Sequence, residues 1–258
     1  SGLPRPVQVV SRVCSHLPLL NHNQPARAVF AAQQMTQATD FGVHQGLRGA
    51  KIQRSLWYSQ TPALASADAD GAQPAGINLT FACATFRGMG MEDSIVFSRA
   101  CLDYGAFRHD VTRRTHNPAH GDTLDDDGLP CPGVQRRNTC CSERYGAATT
   151  VQAYSGIDAS GQKLTCVDER WCPSITIGDK FCSRHGQKGV IAGIVDPEDM
   201  PFDPVTGMRF DIVYNPHGIV SRMTVGQIYE AVLSRLAFLQ GNRVGHMHEI
   251  AALSALPA

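Results

Sequence analysis

The chain has no excess of charge of either sign, with 23 basic and 23 acidic side chains in 258 residues. Any basic site must therefore be local, and the high-pI footprint of a protein that coats nucleic acid is excluded. No run of about 18 apolar residues occurs, so the sequence offers no membrane-spanning helix and is read as soluble. Nine cysteines are present, but no Cys-x-x-Cys pair is among them. Their odd number and irregular spacing argue against a zinc ribbon and against a disulfide framework, and for reduced thiols in an intracellular protein. There is no internal repeat, and no Gly-x-x-x-x-Gly-Lys-Ser/Thr loop, because Gln187 follows Gly186 and Gly189 follows Lys188. The opening "SGLPRPVQVV" has neither an initiator methionine nor the charged start and long apolar stretch of a signal peptide, and the chain is read as a fragment.

Against this neutral background one stretch is locally basic. "GDKFCSRHGQKG", Gly178 to Gly189, sets Lys180, Arg184, His185 and Lys188 between three glycines and a single acid, Asp179. Acidic segments lie at Asp122 to Gly128 and Asp196 to Asp203. Glycines permit tight turns, and turn amides together with lysine ammonium groups can surround phosphate oxygens. Charge alone fits a solvated basic turn equally well.

Local patterns supply candidate elements. "NHNQPARAVFAAQQMTQA" predicts a helix with Asn23 as its cap and Pro25 in its first turn. Ile77 to Phe86 alternates as a half-buried strand does, while Pro62 to Gly76 reads as a loop. "TVQAYSGIDASGQKLTCVDERW" predicts two strands joined by a turn at Asp158 to Gly161. A final helix is predicted from Thr224 to Gln240, with apolar spacing through Val225, Ile228, Val232, Leu236 and Leu239. Thr224 and Gln227 would form its capping box, and Gly241 would end it.

Two arginines sit against the dipoles of these helices. Arg27 falls in the first turn of the first and Arg222 just before the last, where a cation is disfavoured by a few tenths of a kcal/mol or more. An anion at either place would remove the conflict, because helix N-termini also present free N–H groups. A solvated arginine screened by water is the plain alternative. Glu92 and Asp93, adjacent after a Gly-x-Gly turn, suit a hydrated Mg²⁺ that keeps most of its waters. Both reach one ion only if the backbone turns there, since neighbours on a strand face opposite ways.

The order of the blocks "NHNQPAR", "MEDSIVFSR", "LDDDGLPCPGV", "GDKFCSRHGQKG", "EDMPFD" and "DIVYNPHGIVSRMTVGQIYE" resembles the second-largest, β-type subunit of multisubunit DNA-directed RNA polymerases, from about His16 to Gly241. "SRHGQKG" and "NPHGIVSRMT" resemble the archaeal, eukaryotic and large-DNA-virus branch. The resemblance implies a mixed α/β fold around a double-psi β-barrel with flanking helices. It also implies a lead-in over residues 1–24, a hybrid-binding region over 25–241 and a truncated C-terminal segment over 242–258.

The same resemblance implies roles for particular residues. Lys180 and Lys188 line the active centre near the RNA 3′ end and the incoming nucleotide, with Arg184 and His185 as further nucleic-acid contacts. Arg27 and Arg222 approach the nucleotide triphosphate. Glu92 and Asp93 sit near a nucleotide-borne Mg²⁺, through water. Implied partners are the largest polymerase subunit and other polymerase subunits, DNA template, RNA and ribonucleoside triphosphates, with no membrane. The compartment is left open between nucleus, cytoplasm and viral particle or factory. No Asp-x-Asp-x-Asp cluster of the kind the largest subunit uses for the first magnesium occurs, so the isolated chain is expected to be inactive. Gly90, Met91, Val220 and Asn21 depart from the family pattern, and the stretch from about Arg136 to Ala147 is shorter than its cellular counterpart. A non-catalytic nucleic-acid-binding module derived from a polymerase is the alternative reading.

Overall fold

A computed structural model of the chain describes residues 14, 16–39, 52–65, 76–116, 125, 127, 129–136, 146–157, 159–239 and 245–246. The chain divides into two compact units. The larger is built from Ser1–Ala38, Ser59–Ala106 and Thr176–Ala258, the smaller from Thr39–Tyr58 and Phe107–Ile175. The region predicted as hybrid-binding, 25–241, holds parts of both.

The smaller unit is an antiparallel sheet of β1 (Ile52–Leu56), β5 (His109–His116), β8 (Lys163–Trp171), β7 (Ala148–Ile157) and β6 (Gln135–Arg136), in that spatial order. β7 and β8 are the two strands predicted on either side of the turn at Asp158 to Gly161, and Gly161, at φ 82°, takes the left-handed turn conformation between them. Val111, Ala148 and Trp171 form its core.

The larger unit holds a mixed sheet, β3 (Phe81–Cys83), β11 (Ile212–Tyr214), β4 (Ser94–Ser98), β10 (Lys188–Val195) and β9 (Lys180–Cys182), ordered β3-β11-β4-β10-β9. β4 lies at its centre, antiparallel to β11 and parallel to β10. β10 alternates, burying Gly189, Ile191, Gly193 and Val195. Val96, Val195, Met200 and Val213 form a core with Ala84, Phe86 and Met89 against it. A short pair, β2 (Leu64–Ala65) with β12 (Gly245–His246), and the helices α1 (Pro25–Thr36), α2 (Arg99–Asp103), α3 (Pro216–Ser221) and α4 (Gly226–Leu239) complete this unit.

The mixed α/β class is therefore observed, but the double-psi barrel is not. β3 and β9 are three-residue edge strands with no ladder between them, so the sheet stays open. The strand predicted over Ile77 to Phe86 shrinks to Phe81–Cys83, because Thr80 turns its amide and hydroxyl to Asp211 Oδ2 at 2.8 and 2.7 Å. Of the predicted loop at 62–76, Leu64 and Ala65 form β2, and residues 66–75 lie outside the described residues. Most of the acidic stretch at 122–128, and Gly241, also lie outside them.

The predicted last helix forms with different ends and a different inner face. Its amide at Gly226 is capped by Asn23 Oδ1 at 3.0 Å. The Thr224 hydroxyl has no hydrogen-bond partner, and Gln227 Oε1 accepts from Ser183 instead, so the expected capping box does not form. Val225, Ile228, Val232 and Leu239, which carry the apolar spacing, are exposed, while Leu233 packs on Leu19 and Leu64. Asn23 does not cap α1, whose N-cap is Gln24 without a side-chain bond. No described helix is long and apolar enough to cross a membrane.

Candidate functional site

The basic motif folds as β9, a tight turn and the start of β10. Gly178 opens it at φ 98°, and the lone acid, Asp179, is used on the amide of Thr176 at 2.8 Å. The ladder pairs Lys180 with Val190 and Lys188 with Cys182. Directly opposed residues share a face, as do residues two apart on one strand, so both lysines project from the same side of the hairpin. That side is exposed, whereas Phe181 and Gly189 turn inward. Diagonal positions of this kind lie about 7–8 Å apart. Among the described residues no ion pair engages either lysine.

The turn between the strands is closed by the Ser183 amide donating to Gln187 O at 2.8 Å, with Gly186 at φ 74°. Gly186 lies so close to α1 that a Cβ there would sit 2.5 Å from the Arg27 carbonyl oxygen. Its own carbonyl accepts from Arg27 Nη1 and Gln34 Nε2, both at 3.4 Å. On the other side Gln187 Nε2 donates to Asp93 Oδ1 at 3.0 Å. Arg222 forks onto the same carboxylate, with Nε donating to Oδ1 at 2.8 Å and Nη2 to Oδ2. One turn thus joins Arg27 to the Asp93–Arg222 pair.

Arg222 lies shortly before α4, as expected, but it also ends the preceding helix. It is the C-cap of α3, where the dipole favours a cation, and its counter-anion is Asp93. Arg27 does lie in the first turn of α1, with its guanidinium over the Phe30 ring at 5.2 Å. The Tyr214 hydroxyl, buried beside this cluster, lacks a hydrogen-bond partner; burial and then the Asp93 charge push its pKa up to about 12.

The backbone does turn at the acidic pair, since Glu92 has φ 44°, uncommon outside glycine. Glu92 is exposed, while Asp93 is committed to Arg222 and Gln187. These hard oxygen donors match the chemistry of Mg²⁺, but no group of three or more metal-type ligands occurs among the described residues. The pair therefore fits a hydrated ion brought by another ligand rather than a dedicated cage. Of the departures from the family pattern, Met91 and Val220 are 76% and 72% exposed, and the Gly90 carbonyl accepts from Asn215 Nδ2 at 2.6 Å.

His185 and Arg184 are positioned differently from the lysines. The His185 side chain has no exposed surface. Asn23 uses Oδ1 on Gly226 N, which leaves its Nδ2 to donate to His185 Nδ1 at 2.8 Å. Nδ1 is thus the acceptor, and the ring proton on Nε2 is donated to Glu230 Oε2 at 2.5 Å. Arg184 Nη2 donates to the other oxygen of Glu230 and to Leu64 O. Burial pushes the Glu230 carboxyl up, but the His185 hydrogen bond and the Arg184 charge outweigh it and hold the group below its usual value. The His185 ring, expected from the resemblance to contact nucleic acid, is thus buried with both nitrogens occupied. The contacts made by Asn23, Gln187, Tyr214 and Glu230 escaped the sequence reading, although all four residues stand inside the quoted motif blocks.

All eight predicted site residues fall in the larger unit. The larger unit thus carries an exposed lysine pair on a mixed sheet and, around the turn between its strands, two arginines and a paired carboxylate. The chain belongs to the family of RNA polymerase Rpb2, domain 6, whose model matches residues 13–127 and 135–248. It is 29% identical to human DNA-directed RNA polymerase I subunit RPA2 over 92% of its own length and 25% of the human protein. It is likewise 29% identical to RNA polymerase II subunit RPB2 of Eremothecium gossypii and to RNA polymerase subunit Rpo2 of Saccharolobus solfataricus. Those matches cover 92% of the chain and 24% and 26% of the relatives. The chain thus spans about a quarter of the length of the curated relatives it matches.

Proposed function

We propose that this chain supplies nucleotide- and RNA-binding residues to DNA-templated RNA synthesis, within an intracellular assembly that includes a largest polymerase subunit. The observation that carries the reading is the Gly186–Gln187 turn, which links Arg27 on one side to Arg222 and Asp93 on the other, beside the open lysine face. Arginine forks suit the fixed oxygens of a bound triphosphate. Lysines, as compact mobile charges, suit RNA phosphates that move with each addition. Arg184, tied to Glu230, borders that face. Mg²⁺, when bound, stabilises attacking and leaving oxygens in phosphoryl transfer. Exposed Glu92 is placed to hold waters of such an ion, and Asp93 to do so once released from Arg222.

The test is steady-state nucleotide addition by the chain assembled with a largest subunit. Arg27→Ala or Arg222→Ala should raise the nucleotide KM about tenfold or more, since hydrogen bonds to charged groups contribute roughly 1.5–3 kcal/mol. Binding of an RNA–DNA scaffold should be unchanged. Scaffold binding without any extension would instead favour a non-catalytic module, a reading to which the departures at Gly90, Met91 and Val220 lend support.

A further inference from the structure

Arg222 already has a partner within the chain. Its Nε and Nη2 are both given to Asp93, and a guanidinium fork presents one such pair of parallel donors on that edge. A carboxylate and a phosphate match the fork in the same bidentate way, so they compete for it. The pair is reachable, with side chains 34% and 33% exposed. It is also braced, because Gln187, itself 3% exposed, donates to Asp93 Oδ1 and holds the carboxylate toward the arginine.

We propose that Asp93 is an internal stand-in for phosphate at Arg222, so that a triphosphate gains this arginine only by displacing Asp93. This rests on the reading of Arg222 as a triphosphate ligand. Displacement leaves Asp93 facing a new anion without its cation. A triphosphate that brings a divalent ion restores a positive partner, whereas a metal-free triphosphate does not. The exchange therefore makes Asp93 a specificity residue that selects metal-bound over metal-free triphosphate. Glu92, exposed and next to Asp93 in a left-handed turn, is a second carboxylate available to such an ion.

The experiment measures equilibrium binding, without turnover, of ATP and of inorganic tripolyphosphate to the chain assembled with a largest subunit, in EDTA and in Mg²⁺. Asp93→Asn removes the competing charge at constant shape. It should tighten metal-free tripolyphosphate about tenfold and shrink the preference for Mg²⁺–ATP by a similar factor. The gain should vanish in an Arg222→Ala background. Gln187→Met, which only unbraces the carboxylate, should show the same sign with a smaller size. A pure metal-ligand role for Asp93 gives the opposite pattern, with metal-free binding unchanged and Mg²⁺–ATP weakened, and overturns the proposal. Failure of both variants to assemble also overturns it, since Asp93 would then be a structural partner. If Arg222→Ala leaves Mg²⁺–ATP binding untouched in otherwise wild-type protein, the underlying assignment of Arg222 is what fails.

Discussion

In the smaller unit charged side chains are closed against one another by the sheet itself. Arg114 stands directly across β5 and β8 from Asp168 and forks onto it at 2.8 and 2.9 Å, with Gln152 adding a third bond at 2.7 Å. Arg170 leans to Asp110 at 3.7 Å. In the larger unit Lys180 and Lys188 meet no acid among the described residues, and Arg222 finds its acid on a distant segment. Charge satisfied through strand register stabilises a sheet and leaves nothing for a ligand. Charge left open, or held by a partner that can be displaced, is what a phosphate site needs. The number of arginines and lysines does not separate the two units; their partners do.

The sharpest way to break this comparison is at the buried acid of each unit. Glu230→Ala strands Arg184 and His185 and should cost about 3 kcal/mol, near the low end for a broken buried pair because a fifth of the Glu230 side chain is exposed. Asp168→Asn, whose partner Arg114 is half exposed, should cost about 1 kcal/mol or less. The acid dependence has one sign for both. Each carboxyl lies below its ordinary value when folded, 4.5 for Glu230 and 3.8 for Asp168, so its contribution is present above that value and lost as pH falls through the lowered one. Thermal melts between neutral pH and pH 3 should therefore show a weaker acid destabilisation in either variant than in the parent. An unchanged acid limb in the Glu230 variant would remove that group from the ledger.

A steric comparison comes next. Gly186→Ala combines φ 74° with a Cβ driven to 2.5 Å from the Arg27 backbone, and should cost about 2–4 kcal/mol. Gly161→Ala in the smaller unit has φ 82° but nothing within 4 Å, and should cost about 1–2 kcal/mol, the left-handed strain alone. Chemical denaturation of the two variants measures the difference, and equal losses would mean that the turn is not packed on α1.

The last comparison is functional. Lys180→Met or Lys188→Met should slow single-nucleotide extension of a preformed RNA–DNA scaffold about ten- to hundredfold, the worth of one charged hydrogen bond, with assembly intact. Arg170→Met, at a surface pair in the smaller unit, should change it less than about twofold. Equal effects from all three would dissolve the contrast between the units.

Much of the local structure was legible. Proline at the start of α1, the strand-forming residues of β7 and β8, and the turn glycine between them act over a few residues and do not depend on distant partners. The site was legible as a set of residue types but not as a geometry. The apolar spacing on α4 was legible as a stripe, yet most of it is exposed, because periodicity defines a face without saying what covers it. Asn23 looked like a cap for the helix beside it and caps one that begins two hundred residues later. His185 looked like a surface ligand and is buried by Asn23 and Glu230.

By itself the sequence determined the family and the residue types of the site, because motif order and residue identity are properties of the chain read in line. Tertiary structure alone decided that Arg222 rests on Asp93, that Gln187 braces that pair and that the turn at Gly186 touches Arg27. Each of those contacts joins segments remote in sequence, and hydrogen bonds of a few ångströms exist only once folding has brought the segments together.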